Sequence, residues 1–116
     1  MDQCIVDRRD LVYADYKTEG SMSKESFAIR RFDAGRLAVT PGAEKAVDDN
    51  EIATALLRHS NGDWGLVPDE DRLANEFALE HQLRLLSVYE DSNGIRFWII
   101  TEADRSVTTV LLPEEY

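Results

Sequence analysis

The side chains that most often carry covalent or acid–base catalysis are scarce in this sequence. It has one cysteine, Cys4, and two histidines, His59 and His81. A cysteine nucleophile needs a neighbouring base, and Cys4 lies in a stretch without a clear secondary-structure pattern. We interpret Cys4 as an inert thiol and the histidines, each at the predicted end of a helix, as partners of the helix dipole. The sequence therefore predicts a protein that is not an enzyme.

Metal and phosphate chemistry is not indicated either. Asp69, Glu70 and Asp71 are contiguous, and consecutive side chains on a helix point in different directions rather than at one ion. Residues 61–65 contain two glycines but are not followed by the Lys-Ser/Thr pair of a phosphate-binding loop. We interpret this run as a helix stop followed by a packed Trp64. No cofactor and no metal are predicted.

The densest polar cluster is the loop at residues 101–106, which contains Glu102, Asp104 and Arg105. Two acids, one arginine and several hydroxyls in one turn could bind a ligand. In the alternative interpretation, Asp104 or Ser106 closes hydrogen bonds within the turn and Arg105 pairs with Glu102. The second interpretation is favoured, and the loop stays a candidate polar site.

Three short helices precede this loop in the predicted element order. The first has Thr40 as N-cap and Pro41 at its first position, and it runs to about Val47. The second begins at Asn50 as cap, places Ile52 and Leu56 on one face, and stops at residues 61–62.

The third predicted helix follows Pro68 and ends near His81. Three acids occupy its first turn, where the helix dipole favours negative charge. Helical spacing predicts that its buried stripe consists of apolar residues, namely Leu73, Ala74, Phe77, Ala78 and Leu79.

The last third of the chain has the pattern of strands. Residues 83–89, 95–101 and 107–112 are apolar runs separated by turns, of which Asn93-Gly94 is a hairpin signal. We predict an α+β fold with a three-stranded antiparallel C-terminal meander packed against two or three short helices. Residues 27–29 and 36–39 also look like strands. Residues 27–116 are predicted to form one domain, preceded by a weakly ordered arm or added strand at residues 1–26.

Charge is distributed unevenly along the 116 residues. The net charge is −10; residues 1–40 carry seven acids and seven bases, and residues 41–116 carry sixteen acids and six bases. Such a surface repels nucleic-acid phosphates and attracts basic partners. Direct nucleic-acid binding is therefore not expected, although acidity can also serve solubility alone.

Apolar runs are too short to span a membrane, and a single cysteine without a signal peptide favours the cytoplasm.

Several segments resemble one family. They are residues 40–43, 58–59, 62–65 and 84–89, and above all the C-terminal run 98–116, which includes Trp98-Ile99-Ile100-Thr101-Glu102 and Leu111-Leu112-Pro113-Glu114-Glu115-Tyr116. Through these segments, residues 27–116 resemble a family of small uncharacterised bacterial proteins that are encoded on plasmids and integrative elements and are labelled plasmid-related. The resemblance implies a bacterial cytoplasm and mobile DNA. It assigns no activity and no site residues.

The charge and this setting together lead to one functional prediction. A mobile element must survive host nucleases, and a small acidic protein can occupy a basic nucleic-acid channel. We predict a non-catalytic inhibitor of a host defence complex, an anti-CRISPR or anti-restriction protein, whose partner is a basic nucleic-acid-binding effector subunit. The predicted contact residues are Asp63, Asp69, Glu70, Asp71, Glu76 and Glu80. The alternative is a dimeric adaptor or regulatory module in plasmid maintenance, which would associate through an exposed apolar sheet face.

Overall fold

One mixed sheet organises the part of the chain described by the computed structural model, which is residues 31–116 and the backbone of residues 12 and 13. Its strands are β1 (Val12–Tyr13), β2 (Arg36–Val39), β3 (Leu85–Glu90), β4 (Arg96–Thr101) and β5 (Val107–Leu111). They lie in the order β1-β2-β5-β4-β3. The predictions for Cys4, for residues 27–29 and for the arm at 1–26, apart from its strand at 12–13, lie outside the described residues.

The predicted three-stranded meander accounts for part of this sheet. β3, β4 and β5 pair antiparallel in succession, but β2 joins the other edge of β5 in parallel, with Val39 opposite Val110. The α+β class is confirmed, and a purely antiparallel sheet of three strands is wrong. The reason lies in β5, where residues 108–111 are all buried. A strand that is buried on both faces belongs inside a sheet and pairs along both edges.

The described residues form three α-helices, all between β2 and β3. They are α1 (Pro41–Ala46), α2 (Asp49–Ser60) and α3 (Asp69–His81), and a 3₁₀ turn follows at Pro113–Glu115. Thr40 caps α1 as predicted, because its hydroxyl accepts a hydrogen bond from the N–H of Ala43. The predicted cap Asn50 is wrong. Asp48 caps α2 instead, and its carboxylate accepts the N–H of Asn50 at 3.1 Å, which satisfies a free donor of the first turn.

The C-terminus is fastened to the start of α1 by Glu115. Its carboxylate accepts hydrogen bonds from the hydroxyl of Thr40, from the N–H of Gly42 at 3.2 Å and from the N–H of Leu112 at 2.9 Å. A carboxylate is favoured at this helix N-terminus because the backbone N–H groups there are unpaired. The resulting clamp joins residues more than 70 positions apart.

The helices pack against one face of the sheet. Ile52, Ala55 and Leu56 of α2 form a buried cluster with strand residues such as Ile99 and Val110. A second cluster of Trp64, Ala78 and Leu85 joins α3 to the sheet beside it. Because β3 carries Leu85 on the same face as Ile99 and Val110 by its register, both clusters lie on one side of the sheet.

The outer edge of β3 is covered at two points. Leu66 N–H donates to the Val88 carbonyl at 2.7 Å, and the Asn75 amide pairs with both backbone groups of Leu86, at 2.7 and 3.1 Å. Gly65 has φ +76°, and a Cβ there would lie 2.0 Å from the Val88 oxygen. The approach therefore requires glycine. These contacts fix α3 and the 64–66 segment against an edge that would otherwise offer unpaired backbone groups.

None of the described helices has the length and apolar character that a membrane crossing requires.

Candidate functional site

Helix α3 turns two large apolar side chains, Leu73 and Phe77, toward solvent. Leu73 is 65% exposed and Phe77 is 55% exposed, and residues four apart lie on the same side of a helix. The prediction that they belong to the buried stripe is therefore wrong. The buried residues of α3 are Asn75 and Ala78. Because Trp64 and Leu85 already fill the space between helix and sheet, a small residue such as Ala78 fits there and Phe77 does not.

The side chain of Phe77 is supported by its neighbour one turn later. The rings of Phe77 and His81 stack with centroids 3.9 Å apart and an interplanar angle of 19°. Nδ1 of His81 also lies 3.0 Å from the carbonyl oxygen of Phe77, as expected of a histidine that serves the last turn of a helix. The stack restrains both rings, so an exposed aromatic side chain is already partly ordered before any partner arrives.

Carboxylates surround these two apolar residues. At 3.6 residues per turn, Asp69 and Glu80 align with Leu73 on one flank, and Glu70 lies beside Phe77 on the other. We call the five residues Asp69, Glu70, Leu73, Phe77 and Glu80 the α3 surface. Asp69 pairs with Arg72 at 2.6 Å, whereas Glu70 and Glu80 are exposed and form no ion pair with another residue of the described chain. Asp71, one of the predicted contact residues, lies on the opposite side of the helix.

Two of the predicted contact acids serve the fold instead. Asp63 forms a bidentate pair with Arg58, at 2.8 and 3.3 Å. Glu76 accepts two bonds from Arg31, at 2.9 and 3.2 Å, and one from the Trp64 indole N–H at 3.0 Å. The arginine hydrogen bonds hold the pKa of each of these carboxyl groups below its usual range. Their charges are locally compensated, so they contribute less to an acidic surface than Glu70 and Glu80 do.

The loop at 101–106 uses its charged groups to tie strands and helix together. The Arg105 guanidinium donates to the carbonyls of Leu83 at 2.7 Å and of Ala78 at 3.1 Å, which satisfies groups at the C-terminal end of α3. It also donates to the carbonyl of Glu102 at 3.1 Å. The predicted pairing of Arg105 with the Glu102 side chain is wrong, because Arg84 faces that carboxylate, with Nε 3.6 Å from Oε1.

Asp104 closes hydrogen bonds within the turn. Its Oδ1 accepts the N–H of Ser106 at 3.0 Å and the Ser106 hydroxyl, and these bonds hold the pKa of Asp104 below its usual range. This geometry agrees with the interpretation in which Asp104 and Ser106 close hydrogen bonds within the turn. Glu102, Asp104 and Arg105 are brought together by the turn. Asp104 and Arg105 bond to neighbouring groups of the protein, whereas Oε2 of Glu102 is buried without a hydrogen-bond partner in the described chain.

His59 lies in the core rather than at a solvated helix end. It is fully buried, its Nδ1 is 2.6 Å from the Ser87 hydroxyl, and its Nε2 is 2.8 Å from the Thr101 hydroxyl. The Thr101 and Thr108 hydroxyls are 2.7 Å apart, and Thr108 donates to the Ala34 carbonyl at 2.7 Å. The prediction that His59 serves the helix dipole missed this network. Burial, with a contribution from the Arg105 charge, lowers its pKa to about 3.

The proton order along this chain follows from its last bond. Because the Thr108 hydroxyl gives its single proton to a carbonyl, it accepts from Thr101, and Thr101 in turn accepts from Nε2–H of His59. Nδ1 is then the acceptor for the Ser87 hydroxyl. Every group is satisfied by neutral histidine, and an added proton on Nδ1 would face the Ser87 oxygen in a buried site. The network contains a serine and a histidine side by side, but all of its side chains are buried. We therefore interpret it as a structural network of the core.

Two shallow clefts lie on either side of Arg58. The larger, of about 280 Å³, is lined by Arg58, Leu66, Tyr89 and Asp91 among others, and the smaller is about 130 Å³. Arg58 stacks 4.9 Å above the Tyr89 ring, and its Nε and Nη2 donate to Asp63. Within the described chain, no three His, Cys, Asp or Glu side chains converge as a metal site requires.

Comparison with protein-family models, with curated proteins and with solved structures gave no match to this chain.

Proposed function

We propose that this protein is a small acidic binding protein of a mobile genetic element, acting in the bacterial cytoplasm. In this proposal it inhibits a host nucleic-acid defence complex, a CRISPR or restriction effector, by occupying a basic surface of a nucleic-acid-binding subunit. The observation that carries the proposal is the α3 surface, where Glu70 and Glu80 are exposed without a basic partner in the described chain.

The arrangement supports this role through placement as well as charge. α3 is fixed to the sheet by Asn75, Ala78 and the Arg105 bonds, so the backbone that carries its carboxylates has a defined position. A rigid row of negative groups gains from the same electrostatic steering that brings nucleic acid to the effector. Because the helix is already folded and held in the free protein, binding does not require the backbone of α3 to be ordered.

The alternative role, a dimeric adaptor that associates through its sheet, receives less support. The sheet face opposite the helices carries Ile100, Thr109 and Leu111 by its register, and each is at most 3% exposed. An apolar sheet face available to a second copy would leave such residues open to solvent. The exposed apolar residues of the described chain instead concentrate at and beside α3.

A plasmid-protection assay tests the proposal. Transformation efficiency is measured in bacterial hosts that each carry one defined restriction or CRISPR system, with and without the protein. We expect the protein to raise the efficiency at least tenfold against one system, and the charge reversal Glu70→Lys/Glu80→Lys to remove the effect. Glu44→Lys/Glu114→Lys is the matched control, since it changes the net charge equally at two exposed acids away from α3.

If the wild-type protein protects the plasmid against none of the restriction or CRISPR systems, the proposed function is contradicted. Equal loss in both double variants would show that net charge, and not the α3 surface, is responsible.

A further inference from the structure

We infer that the α3 surface is a protein-docking surface with apolar anchors, and that its partner presents an apolar groove bordered by Lys or Arg. The inference deepens the proposed function and takes from it only the positive charge of the partner. It assigns the binding contact to Leu73 and Phe77, with the carboxylates in a bordering role, so the partner's contact is a groove in a protein surface rather than a row of phosphate-binding cations alone.

The exposure of the two residues is the first step. Leu73 and Phe77 are one turn apart on the outward side of α3, and they are the two most exposed large apolar side chains of the described chain. Side chains that stay in solvent add little to the stability of the fold. Paired anchors at i and i+4 are the pattern by which an amphipathic helix binds into a groove.

The charge around the anchors selects the occupant. Glu70 and Glu80, which have no basic partner in the described chain, border them, so a second copy would bring like charges together. An anionic membrane surface would be repelled for the same reason. A groove with basic edges complements both parts of the surface, because the apolar contact then excludes water around the bordering ion pairs and strengthens them.

Model peptides test the inference before any natural partner is identified. The first probe is a 14-residue helical peptide of lysine and leucine with leucines at helical spacing. The second has the same lysines, with glutamine in place of leucine. Binding is measured by calorimetry, and the contact is mapped from backbone amide shifts in NMR spectra of the full chain. We expect the leucine peptide to bind at least tenfold tighter and to shift amides of α3.

Two variants separate the anchors from apolar exposure in general. Leu73→Gln/Phe77→Gln is expected to lower the affinity for the leucine peptide at least tenfold, to the level of the glutamine peptide. Ile95→Gln is the control, because Ile95 is also exposed, at 37%, but lies in the β3–β4 turn. It should leave the affinity unchanged. Circular dichroism melting confirms that each variant folds.

Equal affinity for the two peptides, unchanged binding by the double variant, or shifts confined to residues outside α3 would overturn the inference. A concentration-dependent dimer of the free protein that the double variant loses would also overturn it, by making a second copy the occupant. These outcomes are distinct from failure of the plasmid-protection assay, which tests inhibition of a defence system and does not depend on the peptides.

Discussion

The buried histidine predicts a specific loss of stability in mild acid. His59 has a pKa of about 3 in the folded protein and 6.5 in the unfolded chain. Between these values the unfolded chain binds a proton that the folded protein does not. The contribution of His59 to stability is therefore fully present above pH 6.5 and is lost as the pH decreases toward 3. From pH 7.5 to pH 5.0 this one group should lower the free energy of unfolding by about 2 kcal/mol.

The magnitude at pH 5.0 depends little on the folded-state pKa, provided that value stays below about 4. It is set by protonation of the unfolded chain, because the folded protein resists a proton on Nδ1, where the Ser87 hydroxyl already donates in a buried site. Carboxylates also titrate in this range and change the total slope. A comparison with His59→Gln, which keeps all the carboxylates, therefore isolates the contribution of His59.

Urea unfolding at pH 7.5, 6.5, 5.5 and 5.0 provides the assay, with tryptophan fluorescence as the signal. His59→Gln should be less stable than wild type at pH 7.5, and that difference should shrink by about 2 kcal/mol at pH 5.0. Parallel stability curves for wild type and His59→Gln would refute the neutral buried network.

Three further predictions concern the fold and the α3 surface. Gly65→Ala should lower the free energy of unfolding by about 3 kcal/mol, because strain at positive φ adds to a clash with the Val88 carbonyl. Gly94→Ala, at positive φ without a close contact, should lower it by about 1 kcal/mol. Equal losses in urea unfolding would contradict the edge contact. Glu115→Gln should lower the free energy of unfolding by about 1–2 kcal/mol, because charged hydrogen bonds at the start of α1 are lost. Glu114→Gln, at an exposed position, should leave it unchanged. A Glu115→Gln protein as stable as wild type would argue against the C-terminal clamp. Leu73→Gln/Phe77→Gln should change stability by less than about 0.5 kcal/mol, as expected for surface positions, and a loss of several kcal/mol in thermal melts would return these residues to the core.

Local signals in the sequence predicted local structure well. Thr40-Pro41 starts α1 because a hydroxyl acceptor and a residue without N–H suit the first turn of any helix. Asn93-Gly94 predicts the β3–β4 hairpin because the turn needs positive φ, which Gly94 adopts. Such features depend on a few neighbouring residues, and the chain carries all of them in one place.

Non-local packing accounts for what the sequence did not predict. β2 is recognisable as a strand, but its partner β5 is about 70 residues away, and nothing in either segment specifies a parallel pairing. The spacing of α3 is compatible with two apolar sides, and the choice between them depends on the space left by Trp64 and Leu85. His59 is at a helix end in the sequence, and Ser87 and Thr101 come to it only after the sheet forms.

The site prediction divides along the same line. The sequence predicts the acidic helix but does not separate Glu70 and Glu80, which are exposed, from the other predicted contact acids. Asp63 and Glu76 have the same charge, but the fold supplies each with an arginine, and a distant partner such as Arg31 cannot be inferred from spacing. Leu73 and Phe77 were assigned to the core because large apolar residues are usually buried, and their exposure is therefore the most informative departure from the sequence pattern.

We propose that the α3 surface competes with nucleic acid for a basic effector subunit. The direct measurement is nucleic-acid binding by the effector whose interference the protein relieves, followed by gel mobility shift as the protein is titrated. We expect that wild-type protein displaces the nucleic acid, that Glu70→Lys/Glu80→Lys does not, and that Glu44→Lys/Glu114→Lys behaves as wild type. A stable complex that contains effector, nucleic acid and this protein together would contradict it.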